Sequence, residues 1–234
     1  MHHGLLLLLD GPMQSWGTQS RFGQRDTDFE PSKSGVIGLV GAALGMTRND
    51  EVLLSRLAKL TMAVRVDREG RVLRDYHTAG GGTYRGKPHS VFGAKDTVVT
   101  TRFYLMDACF VVGLSSEDHA FIKQIALAVQ NPQWPLFLGR RSCVPTRHVF
   151  LAGPLEEEAT ALLKQVAWQG APDAEPPERL RCVVDDARGK PRADVPLSFK
   201  VYSRAFDTRF VRDEWLFAKE LPGAEDVSVS TFAQ

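Results

Sequence analysis

The sequence predicts a mixed α+β fold, and three observations carry that prediction. The first is a continuous apolar run, Leu5-Leu6-Leu7-Leu8-Leu9, stopped by Asp10-Gly11-Pro12. Such a run fits a central strand covered on both faces. The second is the helix-start signal Pro31-Ser32-Lys33-Ser34 ahead of Val36, Leu39, Val40, Ala43 and Leu44 at helical spacing. The third is a repeat of the same order further on, with a long strand pattern, a capped helix and a short apolar strand. Strand, helix, strand and again strand, helix, strand is the order of a ferredoxin-like fold.

The elements follow in order. In the first helix Gly35, Gly38, Gly41 and Gly45 are threaded among the apolar positions. Each interior glycine costs roughly 1 kcal/mol against alanine, so close backbone approach must offset it. Tight packing of helix on sheet is one such gain. A phosphate met by Ser32, Lys33 and the free N–H groups of the helix start is the other. Residues 49–57 read as a second short helix, and 61–67 alternate as a strand with Met62, Val64 and Val66 on one face. Glu69-Gly70 turns the chain into a strand at 72–78.

Residues 79–99 then break pattern with Gly80-Gly81-Gly82, Tyr84, Arg85, Gly86, Lys87, Pro88, His89 and Gly93. A polar stretch of that length inside a compact domain signals function or disorder, and here it would project as a hairpin. The longest strand pattern spans 100–114. Ser115-x-x-Asp118 resembles a capping box and opens a helix with Phe121, Ile122, Ile125 and Val129 on its apolar side. After Pro154 the texture changes to an acidic helix at 156–166, a Pro- and acid-rich loop at 171–178, and strands at 180–184, 197–201 and 210–218. The domain expectation is therefore a body at 1–153 carrying the 79–99 insertion, and a small β-rich region at 154–234.

Composition narrows the class. With 234 residues, 43% hydrophobic and 24% charged, the chain suits one large globular domain or a domain with a small appendage. Three widely separated cysteines, Cys109, Cys143 and Cys182, argue for reduced thiols in a cytoplasmic protein. No apolar segment approaches the ~20 residues of a membrane span, and no H-x-E, H-x-x-x-H or C-x-x-C spacing supports a metal. The expectation is a soluble protein without cofactor.

The net charge of +1 hides a basic middle. Eight cations between Arg65 and Arg102 face four acids, and Arg140, Arg141 and Arg147 follow Gly139 with no acid among them. Clustered guanidinium groups meet phosphates irrespective of net charge. A single surface arginine is more often part of a salt-bridged surface. The adjacent pair Arg140-Arg141, with Ser142, points instead to bidentate phosphate contact. Aromatic residues interleave with this charge, and unstacked bases pile onto such rings. Tyr84 lies in a stretch with little core to join, whereas Trp16 and Tyr76 read equally well as edge-of-core residues. His77 and His89 flank the insertion and could serve as acid and base in a metal-independent ribonuclease. A histidine beside arginines is more often a contact than a base.

Four segments then resemble one family: Leu-Asp-Gly-Pro-Met-Gln-Ser-Trp-Gly at 9–17, Pro-Ser-Lys-Ser-Gly-Val-Ile-Gly-Leu-Val-Gly-Ala-Ala-Leu-Gly at 31–45, Arg-Asp-Tyr-His-Thr at 74–78 and Leu-Gly-Arg-Arg-Ser-Cys at 138–143. Together they resemble the CasD family, repeat-associated (RAMP) subunits of the type I-E CRISPR surveillance complex Cascade. The resemblance implies an RRM-like core with a projecting thumb at 79–99. It also implies a structural role in antiviral defence: holding the 5′ handle of the CRISPR RNA, capping the CasC backbone filament and contacting the large CasA subunit. RNA processing would belong to a separate subunit, CasE. Relatives of type I-C do cleave, which makes an endoribonuclease the alternative, but Lys87-Pro88-His89 departs from the directly adjacent Lys-His pair such relatives imply. The RNA-binding residues expected on this basis are Gln14, Ser15 and Trp16 beside the glycine helix, with Ser32 and Lys33 at its start. Tyr76, His77, Tyr84 and Arg85 are expected at the thumb, and Arg140, Arg141 and Ser142 at the sheet end.

Overall fold

A computed structural model describes residues 1–18, 23–79, 82–84, 87–89, 98–171 and 173–223, with only the backbone of 79, 82–84 and 87–89. Strand β1 (His3–Asp10) carries the leucine run and β2 (Met13–Gln14) and β3 (Gln24–Arg25) follow it. Next come α1 (Lys33–Ala43), α2 (Glu51–Ala58), β4 (Thr61–Arg68) and β5 (Arg71–Ala79). The short strands β6 (Gly82–Tyr84) and β7 (Lys87–His89) pair with each other, and β8 (Val98–Met106) returns antiparallel to β5. Strand β9 (Cys109–Ser116), α3 (His119–Gln130) and β10 (Phe150–Leu155) complete the second half. Helix α4 (Ala159–Leu162), β11 (Arg179–Ser198), β12 (Ala205–Phe217) and a 3-10 turn (Ala218–Glu220) end the described chain.

The main sheet has the order β10-β1-β9-β4-β11-β12 and is antiparallel throughout. The leucine run lies near its middle and both faces are covered, as its composition predicts. Leu5, Leu7 and Leu9 join Met62, Val64, Phe110 and Val112 beneath α1, α2 and α3. Leu6 and Leu8 join Ala63, Val111, Leu162 and Val166 on the opposite face. Alternate residues thus serve two cores because strand side chains alternate with a period of two.

On that second face β4 buries a charge. Arg65 is fully enclosed and its Nε donates to Asp67 at 2.6 Å. Its Nη2 also donates to Asp67 Oδ2 at 2.8 Å, and the other N–H groups donate to the carbonyls of Leu163, Val166 and Ala167, just past α4. Every donor there is matched, which is what makes an interior guanidinium tolerable.

Three sequence expectations change. The pattern at 100–114 is two strands in two sheets, because Asp107 takes φ +56° and its N–H donates to the Pro12 carbonyl. The cap of α3 is Asp118, whose carboxylate accepts from the Phe121 N–H at 3.0 Å, while Ser115 Oγ accepts from Ala159 N–H. The acidic helix shrinks to α4, and the three C-terminal strand patterns become two long strands. β11 runs through Pro191 and Pro196 with register shifts at Asp185/Lys190 and Arg192/Val195, interruptions that mask a strand in a linear reading. Through β11 these C-terminal residues continue the main sheet beside β4.

A smaller sheet, β2-β8-β3 with β5 on β8, stands beside the main one. Of the 79–99 insertion, its described parts are the β5–β8 ladder and the β6–β7 pair. Residues 80–81, 85–86 and 90–97, and with them Arg85, lie outside the described residues.

Candidate nucleic-acid interface

The polar segment after β1 is tied inward. Gln14 is buried, and its Nε2 donates to the carbonyls of Leu9 at 3.0 Å and Ala108 at 2.8 Å. Its Oε1 accepts from the Trp16 indole N–H at 2.9 Å. The indole, 1% exposed, packs against α1, where a Cβ on Gly35 would meet the ring at 2.8 Å. Gly35 therefore permits close packing of helix on ring. Trp16 takes the edge-of-core place that was one of its two expected roles.

The start of α1 already holds an anion. Ser32 caps the helix, its Oγ accepting from Gly35 N–H at 3.3 Å. The Lys33 N–H donates to Asp194 Oδ2 at 2.8 Å, and Asp194 is held in turn by Arg209 Nε at 2.7 Å. Burial lowers the pKa of the Lys33 ammonium, with Asp185 and Asp194 opposing that fall. The chain's own carboxylate thus sits where a phosphate was expected, and Ser32 and Lys33 are both buried. A carboxylate at that position satisfies free N–H groups and the helix dipole alike.

Arg140 and Arg141 diverge although they are adjacent. Arg140 donates from Nη1 to the Phe103 carbonyl at 3.0 Å. Its Nη2 donates to Arg25 O at 2.9 Å and Asp26 O at 3.1 Å. Its guanidinium also lies 4.7 Å from the Tyr104 ring centre, a favourable cation–π distance. Arg140 therefore clamps β3 and β8 to the loop after α3. Arg141 and Ser142 are exposed, and no hydrogen bond or ion pair engages the Arg141 side chain among the described residues.

These elements enclose an open cleft of about 690 Å³, lined by Arg25, Arg48, Arg140, Arg141 and Arg204. Asp26 is the acid among the lining residues. Trp134, Phe137, Phe199 and Phe206 supply aromatic surface, with the edge of the buried Trp16 at the cleft floor. Ser34 and Gly38 of α1 line it too, and no atom lies within 4 Å of where a Gly38 Cβ would stand, so that stretch of helix offers bare backbone. The volume falls within the ~300–1,000 Å³ of ligand clefts.

The sequence reading missed Arg25, Arg48, Arg204 and Trp134. They lie on β3, after α1, before β12 and after α3, and only the fold brings them together. Partial burial, then the charges of Arg48 and Arg25, lower the Arg204 pKa.

The other predicted residues lie elsewhere. Tyr76 is 70% exposed on β5, opposite Thr101 of β8. His77 Nδ1 stands 3.7 Å from Asp75 on the same strand. Tyr84 is on β6. The broad basic stretch is not one surface. Arg65 is interior, Arg68 and Arg147 both bind Asp10 at 2.9 Å, and Arg71 reaches Asp107 at 3.6 Å. Among the described residues no group of three or more His, Cys, Asp or Glu could hold a metal, and no helix is long and apolar enough to cross a membrane.

The fold and cleft define a mixed α+β protein with an antiparallel sheet and an arginine-rich, acid-poor surface. The chain belongs to the CRISPR-associated protein (Cas_Cas5) family, whose model matches residues 4–212. It is 42% identical over 165 residues to the CRISPR system Cascade subunit CasD of Escherichia coli (strain K12), covering 64% of this chain and 71% of that protein. A solved structure described as a Cas protein superposes with a TM-score of 0.73 at 37% identity, over 94% of this chain and 97% of that one. A chain of a CRISPR RNA-guided surveillance complex superposes with a TM-score of 0.72 at 37% identity, over 94% of this chain and 93% of the other.

Proposed function

We propose that this protein is a CRISPR RNA-binding structural subunit of a Cascade antiviral surveillance complex. It holds the 5′ handle of the guide RNA, caps one end of the CasC filament and contacts CasA. The observation that carries the RNA contact is the cleft, where, among the described residues, five arginines meet one acid beside aromatic side chains. Phosphates need the cations, and unstacked bases need the rings. Kinship with a Cascade subunit and with a chain of an RNA-guided complex supports the assembly.

Within the cleft Arg141 contacts phosphate directly, with the exposed Ser142 next to it in the chain. Arg140 and Trp16 form part of the wall and hold it in shape, Gln14 braces it from behind, and Ser15 contributes backbone. The strand order β10-β1-β9-β4, with helices after β1 and β9, supports the ferredoxin-like assignment of the core. The β5–β8 ladder with its β6–β7 extension supports the thumb, on which Tyr76, His77, Tyr84 and Arg85 meet RNA or its neighbouring subunit. The subunit binds and does not cut, and it works in the cytoplasm.

The test is fluorescence anisotropy with single-stranded RNA bearing or lacking the repeat-derived handle, in EDTA, with the RNA recovered afterwards. Tighter binding of the handle-bearing RNA, recovered intact, is expected. Equal affinity for both would overturn handle recognition, and a discrete product lost in His77→Ala would make the protein a nuclease.

A further inference from the structure

The turn between β11 and β12 is part of the cleft although it lies far along the chain. Phe199, Arg204 and Phe206 all line the cavity. Phe199 also packs on the main core. Lys200 pairs with Glu51 of α2 at 2.5 Å, so the turn is fastened beside the α1–α2 connection that carries Arg48. That exposed pair contributes little energy, and the packing of Phe199 on the core is what anchors the turn.

Arg204, Arg48 and Arg25 make an unusual trio. All three line one cavity, and none forms a salt bridge among the described residues. The chain's most buried arginines are matched by acids: Arg65 with Asp67, Arg209 with Asp194 and Asp185, Arg181 with Glu30 and Glu69. Asp26 is the acid that lines the cavity with them, and like charges gathered in excess of their counter-charge destabilise a fold. The lowered pKa of Arg204 points the same way, toward a burden carried in the folded state. A bound anion removes that burden, and strain kept at one site is a mark of function.

We infer that Arg25, Arg48 and Arg204 form a second phosphate subsite, through which the C-terminal hairpin grips the RNA backbone opposite Arg141. The subsite rests on the RNA-binding reading of the cleft. It takes one or two successive phosphodiesters of a single strand, with the exposed rings of Phe206 and Trp134 beside them, 41% and 43% accessible. The hairpin is then an RNA-contacting element as well as an extension of the sheet.

The experiment measures anisotropy of a short fluorescein-labelled handle RNA against salt, between about 50 and 200 mM. Wild type is compared with Arg204→Ala, Arg48→Ala, Arg204→Lys and Arg141→Ala, with thermal melting of each. Arg204→Ala and Arg48→Ala should each weaken binding about ten-fold at low salt and flatten the slope of log K against log salt by about 0.7. Their melting temperatures should hold or rise, and Arg204→Lys should keep the slope. An unchanged slope in Arg204→Ala and Arg48→Ala, with loss in Arg141→Ala, overturns the subsite and leaves the RNA-binding reading standing. A melting temperature that falls with affinity makes the trio structural and also overturns the subsite. Wild type that binds no RNA overturns both.

Discussion

The carbonyl oxygen of Ser15 occupies the space in which a Cβ on residue 139 would stand, and Gly139 holds φ +93° there. Two segments more than a hundred residues apart in sequence thus meet backbone to backbone at the wall of the cleft. The Ser15 N–H also donates to the Leu138 carbonyl at 3.0 Å. This contact aims Arg140 and Arg141.

Gly139→Ala should therefore fail on two counts. The positive φ alone costs about 1–3 kcal/mol for a residue with a Cβ, and the clash must push Ser15 away. Urea denaturation should show a loss of at least that size, with RNA affinity falling as well. A variant of unchanged stability would mean that the two segments do not touch.

Arg140 and Arg141 should separate experimentally. Arg140→Ala removes three hydrogen bonds to carbonyls and a ring contact, and should cost about 1–3 kcal/mol in chemical denaturation. Arg140→Lys should restore only part, since one ammonium cannot span the guanidinium fork. Arg141→Ala should leave stability within about 0.5 kcal/mol while weakening RNA binding. If both substitutions acted alike on stability, the division of labour would be wrong.

Alkaline pH should expose the buried thiols. Burial pushes Cys109 up from 9.0 to about 12 and Cys182 to about 11. A raised folded-state pKa stabilises fully below the unfolded value and loses that contribution as pH climbs through the folded one. Wild type should lose stability between pH 9 and about 12 more steeply than Cys109→Ala, measured as urea midpoints across that window. Parallel slopes for the two proteins would contradict the burial of Cys109.

Much of the fold was legible because it rests on short-range pattern. The leucine run fitted a strand covered on both faces, and Phe121, Ile122, Ile125 and Val129 fitted one face of a helix. The strand break at Asp107 was illegible because the alternation passes through it. Only the positive φ and the Pro12 contact reveal it. The ribbon β11–β12 was hidden by prolines and by exposed faces that do not alternate.

The cleft was half legible. Arg140 and Arg141 were recognisable as a pair, but their different tasks depend on the carbonyls of Phe103, Arg25 and Asp26, which no local pattern announces. Lys33 read as a phosphate ligand because helix starts attract anions. The anion proved to be Asp194, 161 positions further on. Arg25, Arg48 and Arg204 carry no common signal in one dimension, since β3, the α1–α2 connection and the β11–β12 turn meet only in the fold.

If RNA lies in the cleft between α1, the Arg140 loop and the C-terminal hairpin, it should crosslink to the residues that line it. The most direct measurement is photocrosslinking of 4-thiouridine-substituted handle RNA, followed by mass spectrometry of the adducts. Adducts are expected in peptides containing Trp134, Arg141 and Phe206. Adducts confined to peptides outside the cleft, such as the exposed face of α3, would contradict it.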